Sequence, residues 1–304
     1  MTSPILSVLQ TKILFPLNIY TNKIFKKSLN TLLQIKIFSM AQAVLYEEIR
    51  EGKIVKITFN KPERRNLMDP EIMAGLSEAI ERVKSSKNVR CVIITGSGNS
   101  FCAGADFSTL QQFASESGLY GAAGVREGII KFYNAFMKIL EVEQPVIASI
   151  NGYAIGGGLA FALLCDIRIA SRDAKLSANF AKVGIHPGMG ITYTLPRLVG
   201  LERASEILFT GRFITGEEAE KIGLVSKAVP SEKLEEETME MASQIADNAP
   251  YIIKLTKKIL RREFNVRAHS EIEALAQAIC SQMEDAIEGV KAFFEKRKPE
   301  FKGK

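Results

Sequence analysis

Three consecutive glycines at residues 156–158 constrain the fold of this chain more than any other feature of its sequence. They follow the apolar run "QPVIASI", which is typical of a buried strand, and precede "LAFALLCD", which is typical of a buried helix. Glycine loses much conformational entropy when it is ordered, so a triplet needs a structural reason. The triplet indicates either close packing of a helix start against a strand or a ligand that touches backbone N–H groups at a helix N-terminus.

Strand and helix patterns alternate over the first two thirds of the chain. "AVLYEEI" and "KIVKITFN" alternate as strands around the turn "REG", "RCVIIT" and "DIRIAS" are typical of buried strands, and "AKLSANF" is a further candidate strand. Asp69 is predicted to cap a helix that begins at Pro70, residues 126–141 predict another helix, and "GSGNSFCAGAD" predicts a loop. Helical patterns follow at "LERASEILFTG", "TGEEAEKIG" and in three longer segments between residues 231 and 297. This order predicts an α/β fold with a helical C-terminal part.

The first 39 residues differ in composition from the rest, because they contain five lysines and no acidic residue. We interpret residues 1–39 as a disordered or targeting leader. It is either an extension upstream of a working start at Met40 or a mitochondrial transit peptide, although such peptides are usually rich in Arg and this segment has none. The predicted boundaries are 1–39 for the leader, 40–230 for the core and 231–304 for the helical C-terminal region. The expected location is the cytoplasm, or the mitochondrial matrix if the leader is a transit peptide.

The net charge of +6 comes largely from the lysines of the leader, so the nearly neutral remainder gives no argument for nucleic-acid binding. No apolar run approaches the roughly 18–20 residues that a membrane span needs. The four cysteines form no CxxC pair and the chain has two histidines, which excludes a Cys-rich zinc site and a His-rich metal site.

The glycine triplet does not match the common phosphate-binding motifs. A P-loop requires Lys and then Ser or Thr after its glycines, and "GGGLAFA" contains neither. A dinucleotide fingerprint sought at "TGSGNSF" has Phe101 where its third glycine would stand. The remaining use is an oxyanion hole, in which two backbone N–H groups hold one developing negative oxygen. One donor would lie at the glycine helix start and the second in "FCAGAD", residues 101–106.

Several motifs resemble the enoyl-CoA hydratase/isomerase (crotonase) superfamily. They are "FCAGAD", "QPVIASINGYAIGGG", "CDIRIAS", "HPGMGITYTLPRLVG", "LFTGRFITGEEAEKIGLVSKAVP" and the closing "EDAIEGVKAFFEKRKPEFKG". They occur in the family's order and spacing from about residue 44 to residue 303, so the leader lies outside the resemblance.

The resemblance implies a crotonase-like spiral of ββα units, a helical C-terminal region that makes trimer contacts, and an acyl-CoA thioester as substrate with no other cofactor and no metal. The thioester oxygen would lie between the N–H groups of Ala105 and Gly157. The expected partners are acyl-CoA and further copies of the chain, as a homotrimer or a dimer of trimers, without a membrane or nucleic acid. The residues implied in coenzyme A and substrate binding are Arg64, Arg65, Leu67, Ala103, Asp106, Gly156, Phe180, Phe294 and Lys298.

The sequence departs from the family where the hydratases carry their two glutamates. The matching positions hold Ala160 and Phe180, and the position of the alternative acid in some isomerases holds Gly188. None of these side chains transfers a proton. We therefore expect atypical acid/base residues, with His186 in "GIHPGMG" and Glu127 as the candidates. Cys102 is expected to be a buried thiol and Asp166 to be structural.

Three functions remain open from the sequence. The first is an acyl-CoA enzyme that hydrates or isomerises enoyl-CoA in fatty-acid-type metabolism through an oxyanion hole and atypical proton donors. The second is a family member that binds acyl-CoA and has lost catalysis, since the usual acids are missing. The third is RNA binding, for which only the basic leader argues.

Overall fold

The computed structural model describes residues 43–116, 118, 121–261 and 264–303. The leader prediction for residues 1–39 therefore lies outside the described residues. The described residues form two sheets, and each strand of the central part of the large sheet is followed by a strand of the small one and then by helical structure. This repetition is the predicted spiral of ββα units.

The large sheet has six strands in the order β1-β2-β3-β5-β7-β10. They are β1 (Val44–Ile49), β2 (Ile54–Phe59), β3 (Cys91–Gly96), β5 (Val146–Ile150), β7 (Ile167–Ser171) and β10 (Lys227–Val229). The first two strands are antiparallel and the other neighbours are parallel. Every residue of β5 is buried, as expected for a parallel strand that is covered on both faces.

The small sheet has the order β4-β6-β8-β9 and lies where the site forms. Its strands are β4 (Ser100–Cys102), β6 (Tyr153–Ile155), β8 (Lys175–Ser177) and β9 (Ile214–Thr215). The predicted loop "GSGNSFCAGAD" was wrong in this respect, because it contains β4. A strand of three residues is too short to show an alternating pattern in the sequence, and this segment is extended because it pairs with β6.

Eleven α-helices occur among the described residues. They are α1 (Pro70–Ser85), α2 (Phe107–Glu116), α3 (Gly121–Met137), α4 (Gly157–Leu164), α5 (Ile191–Val199), α6 (Leu201–Thr210), α7 (Gly216–Lys221), α8 (Leu234–Asp247), α9 (Pro250–Leu260), α10 (Val266–Cys280) and α11 (Glu284–Phe294). As predicted, Asp69 caps α1: its carboxylate accepts hydrogen bonds from the N–H groups of Glu71 and Ile72, at 3.1 and 3.0 Å.

Two helix predictions need correction. The helix predicted at residues 126–141 is α3, which begins at Gly121 and passes into a 3₁₀ turn, Lys138–Glu141. Four helices, α8 to α11, replace the three longer segments predicted after residue 231. The break between α8 and α9 falls at Pro250, whose ring cannot continue a preceding helix. Among the described residues no helix is long and apolar enough to cross a bilayer.

Candidate active site

Parallel pairing of β4 with β6 brings the two predicted oxyanion donors together. Cys102 on β4 is the register partner of Ala154 on β6. Ala105 lies three residues after Cys102, and Gly157 lies three residues after Ala154. The carboxyl ends of both strands therefore deliver the two backbone N–H groups to one place, although 52 positions separate them in the sequence.

The two N–H groups flank a small unfilled space. A Cβ atom added at Gly157 would stand 3.6 Å from the Ala105 nitrogen and 3.2 Å from the Met68 sulfur. Within the described part of the chain, neither N–H donates a backbone hydrogen bond. Two open donors, of which Gly157 lies at a helix start, are suited to a single negative oxygen.

The other two glycines of the triplet are needed for separate reasons. Gly156 has φ +52° and its N–H donates to the Ser177 carbonyl at 2.8 Å, which turns the chain sharply from β6 into α4. A Cβ atom at Gly158 would lie 2.1 Å from the Cys102 carbonyl oxygen. The close-packing reading is confirmed at Gly158, which approaches β4. The ligand reading stays a prediction, and Gly157 has the open backbone donor that it requires.

The donors line a cavity of about 420 Å³. Its walls include eight of the residues implied in substrate binding, namely Arg64, Arg65, Leu67, Ala103, Asp106, Gly156, Phe180 and Phe294. Lys298 is exposed and is not part of these walls. Most of the remaining walls are apolar, including Leu110, Phe132, Val183, Ile185 and Met189.

Charged side chains cluster at Arg64, on one side of this cavity. Its guanidinium lies 3.2 Å from the carboxylates of both Asp69 and Asp106. Burial opposes the charge of Asp106, but hydrogen bonds from Ser108 and Arg64 outweigh it and lower the pKa of this carboxyl group. Asp106 is therefore a weak base. The Arg65 guanidinium stacks instead over the Tyr153 ring, 5.4 Å from its centroid, and remains exposed.

Packed, non-acidic residues occupy the three positions at which the resembling family carries its catalytic acids. Ala160 is fully buried in the core and is not a cavity wall. Phe180 is half-buried, with its ring edge 3.9 Å from the place of a Gly156 Cβ atom. At Gly188 a Cβ atom would stand only 1.8 Å from the Tyr133 hydroxyl oxygen, so that position is closed by a side chain from α3.

Tyr133 and Gln277 form a buried polar pair in the cavity wall that the sequence did not reveal. The Tyr133 hydroxyl donates to Gln277 Oε1 at 2.8 Å, and Gln277 Nε2 donates to the His186 carbonyl oxygen at 2.6 Å. Burial raises the pKa of Tyr133 well above its ordinary value. A hydrogen bond from the Met189 backbone lowers this pKa, but its effect is smaller than that of burial. The phenol therefore stays protonated and is a donor. Its signal in the sequence is a tyrosine on the apolar face of α3, beside Phe132 and Phe136.

The two predicted acid/base residues lie outside the walls of this cavity. Glu127 is exposed on α3. The His186 ring is half-buried with Nδ1 2.6 Å from the Pro187 carbonyl oxygen, and the residue reaches the site through its own carbonyl group. Their roles in proton transfer stay predictions, whereas Tyr133 is a wall of this cavity.

Two further candidates have the structural environments that were expected. Cys102 is fully buried, and burial raises the pKa of its thiol to about 12. Asp166 accepts from the Val146 N–H at 2.8 Å and pairs with Lys257 and Arg261 at 2.7 and 2.9 Å. Within the described ranges, no group of three or more His, Cys, Asp or Glu side chains could hold a metal ion.

Gly188→Ala is expected to destabilise the protein by about 1–3 kcal/mol, because a methyl group would overlap the Tyr133 hydroxyl and approach Gln277 Nε2 within 2.6 Å. Urea unfolding monitored by circular dichroism measures this loss. Adding Tyr133→Phe removes the overlapping oxygen and should recover part of it. Equal stability of Gly188→Ala and the native chain would show that the Tyr133–Gln277 pair does not occupy this space.

Comparisons of sequence and structure match this chain to known proteins. The family model described as enoyl-CoA hydratase/isomerase matches residues 49–304. A short-chain-enoyl-CoA hydratase from Clostridium acetobutylicum is 36% identical over 255 residues, 83% of this chain and 95% of the relative. A crotonyl-CoA hydratase from Syntrophomonas wolfei is 36% identical over 263 residues, which are 84% of this chain and 98% of the relative. The crystal structure of an enoyl-CoA hydratase/isomerase from Pseudoalteromonas atlantica T6c superposes with a TM-score of 0.73 at 32% identity, over 86% of this chain and 100% of the other.

Proposed function

The chain belongs to the enoyl-CoA hydratase/isomerase family, and from this premise we propose that it is an enzyme acting on an acyl-CoA thioester. The observation that carries the proposal is the pair of open N–H groups on Ala105 and Gly157, which share one cavity. A thioester carbonyl placed between them would be polarised, and an enolate formed from it would be held by two fixed donors.

We assign proton transfer to Tyr133, with Gln277 orienting its hydroxyl group. In the hydration of an enoyl-CoA, water bonds through oxygen to the β-carbon, and the electrons of the double bond pass to the enolate. The Tyr133 hydroxyl turns its proton from Gln277 Oε1 to the α-carbon, gives it up there and takes one from the attacking water, so its own charge is unchanged at the end. A buried donor of this kind fits a reaction that needs a protonated group at neutral pH. Isomerisation of a β,γ-enoyl-CoA uses the same enolate and stays the second possible reaction.

Coenzyme A would lie at the exposed side of the cavity. Arg65 is the better placed of the two arginines for a phosphate, because Arg64 is held between Asp69 and Asp106. Phe294 lines the same side, from the end of α11. Lys298 follows this helix and is exposed, so it would meet the nucleotide only beyond the cavity.

Apolar side chains on the C-terminal helices support the proposal of a homotrimer or a dimer of trimers. On α9, Tyr251, Ile252, Ile259 and Leu260 are between 61% and 80% exposed, and on α10 Ile272 and Ile279 are 64% and 56% exposed. Clusters of large exposed apolar side chains usually mark a surface that another chain covers.

A protein that binds acyl-CoA without turnover is the second candidate function. The observation in its favour is that Ala160, Phe180 and Gly188 stand at the three acid positions. Under this alternative the Tyr133–Gln277 pair would only complete the packing of the cavity wall.

The deciding measurement uses crotonyl-CoA, a longer enoyl-CoA and a β,γ-enoyl-CoA with the purified full chain. We expect saturable heat of binding for each, and loss or formation of enoyl thioester absorbance above the uncatalysed rate for at least one. Binding without any absorbance change would favour the silent binder. Absence of binding to all three thioesters would reject both functions.

A further inference from the structure

A buried carboxylate on α10 caps a helix that begins beside the candidate active site. Glu273 is 1% exposed, and one of its oxygens accepts a hydrogen bond from the Gly190 N–H. The other oxygen accepts from the Thr192 N–H at 2.9 Å and from the Thr192 hydroxyl at 2.5 Å. Gly190 directly precedes α5, so Glu273 supplies from a distant helix the acceptor that a side chain at the helix start usually provides.

The hydrogen bonds around Glu273 are arranged for its charged form. Because the single hydroxyl proton of Thr192 goes to Glu273, the Thr192 oxygen accepts from His269 Nε2 at 2.8 Å. Burial raises the pKa of Glu273, and the hydrogen bonds from Thr192 and Gly190 offset this only in part. The charge therefore costs the fold free energy, and stabilisation of the fold does not explain why a carboxylate stands here.

Glu273 holds a turn with an unfavourable backbone conformation. Met189 and Gly190 have φ +61° and +78°, and this left-handed region is disfavoured for Met189 because it carries a Cβ atom. A Cβ atom at Gly190 would lie 2.2 Å from Val266 Cγ2 on α10. Such a turn persists only where its neighbours fix it. Here α10 fixes it, through Val266 and Glu273.

The same turn surrounds the hydroxyl group of Tyr133. The Met189 backbone makes a hydrogen bond that favours the charged form of Tyr133, and Gly188 lies directly against its oxygen. The other partner of this hydroxyl is Gln277, which follows Glu273 by four residues and so lies on the same face of α10. Both polar contacts of the Tyr133 oxygen therefore depend on how α10 meets the turn at residues 188–190.

We propose that Glu273 is a positioning residue for Tyr133: by binding Gly190 and Thr192 it keeps the Met189 N–H directed at the Tyr133 oxygen. The inference rests on the proposed function, because Glu273 has this role only if Tyr133 transfers the proton. After Tyr133 gives its proton to the α-carbon, its oxygen is negative until it takes a proton from the attacking water. A fixed N–H group at that oxygen stabilises the charge while it lasts.

The test is Glu273→Gln, assayed with the enoyl-CoA that the native chain turns over best. The amide keeps the shape of the carboxylate, but whichever oxygen is replaced, an NH₂ group then meets a backbone N–H that has lost its acceptor. We expect kcat to fall by about tenfold or more, with KM changed by less than about twofold, since the cavity keeps its walls. The urea midpoint should stay close to the native value, because removal of a costly buried charge offsets the lost hydrogen bond.

Thr215→Ala is the matched control, because it removes a side-chain cap from another helix. Thr215 accepts from the Glu218 N–H at 3.1 Å at the start of α7, and it is not a wall of the candidate active-site cavity. This variant should show the opposite pattern, with a lower urea midpoint and a native kcat.

A double variant shows whether Glu273 acts through Tyr133. Adding Glu273→Gln to Tyr133→Phe should lower kcat no further than Tyr133→Phe alone. If Glu273→Gln does not fold, Thr192→Val takes its place, since it removes one donor to Glu273 and keeps the carboxylate. It should also lower kcat, and again not in the Tyr133→Phe background.

The outcomes separate the inference from the proposed function. A native kcat in Glu273→Gln overturns the inference, and so does a double variant in which the two losses multiply, because Glu273 would then act on another group. In both cases the proposed function stands. If the native chain turns over no enoyl-CoA, the proposed function has failed and the role of Glu273 fails with it.

Discussion

Replacing Gly157 with alanine is expected to lower kcat/KM for an enoyl-CoA substrate by about 100- to 1,000-fold, because its methyl group would keep the thioester oxygen away from a donor and losing one oxyanion donor has this effect. The added methyl group would stand 3.6 Å from the Ala105 nitrogen, where the thioester oxygen has to enter. Its nearest neighbour is the sulfur of Met68 at 3.2 Å, which lies in a flexible side chain. The variant should therefore fold and fail mainly at the chemistry. Initial rates with crotonyl-CoA or the best enoyl-CoA of the panel measure the effect.

Free coenzyme A provides the internal control for Gly157→Ala. It lacks the thioester carbonyl, so its affinity should be equal in the variant and the native chain, whereas the acyl-CoA affinity should fall. A variant that melts at the native temperature and turns over enoyl-CoA at the native rate would show that this N–H group does not hold the reacting oxygen.

Replacing Tyr133 with phenylalanine is expected to lower kcat by about 100-fold or more, since a positioned proton donor contributes roughly 10²–10⁴ to a rate. KM should change little, because the ring still fills the wall beside Gly188. The raised pKa of Tyr133 adds a second expectation. The phenol is protonated below its raised pKa, so the native rate should show no loss between pH 6 and pH 9 from ionisation of this group.

Tyr193→Phe is the matched control for Tyr133→Phe. Tyr193 is also a buried tyrosine, and its hydroxyl oxygen accepts a hydrogen bond from the Asn265 N–H at 3.0 Å outside the cavity. Loss of this bond should cost about 1 kcal/mol of stability without reducing kcat. Equal kcat values for Tyr133→Phe and the native enzyme would remove Tyr133 from the mechanism, and His186 and Glu127 would then be tested by alanine substitution.

The buried helix α4 explains why its open N-terminal donor is significant. Every residue from Gly158 to Leu164 is buried, so neither end of this helix is freely hydrated. At the carboxyl end, Arg261 donates to the Leu164 carbonyl at 2.7 Å and Arg168 to the Cys165 carbonyl at 2.9 Å. Cations are stabilising at that end of a helix. The carboxyl end is thus satisfied within the protein, whereas the Gly157 N–H at the other end donates no backbone hydrogen bond within the described residues.

The sequence alone determined the elements whose signals are local. The cap at Asp69, the buried strands and the helix that opens at the glycine triplet depend on residues within a few positions, and they were correctly predicted. The two glycine-containing segments that carry the donors were also predicted, and the family resemblance implied Ala105 and Gly157 within them. The departures at Ala160, Phe180 and Gly188 could be read from single positions in the same way.

Only the tertiary structure decided which polar groups line the candidate active-site cavity. Tyr133 and Gln277 are 144 residues apart. Tyr133 lies among the apolar buried residues of α3, and Gln277 shares the buried face of α10 with Ser270 and Glu273, so nothing local shows that these two side chains meet. Their meeting at Gly188 depends on how α3, α10 and the loop before α5 pack. The same packing leaves Glu127 exposed and holds the His186 ring outside the cavity walls. Local pattern fixes secondary structure because its interactions are short in range, whereas a catalytic cavity is formed by contacts between distant segments.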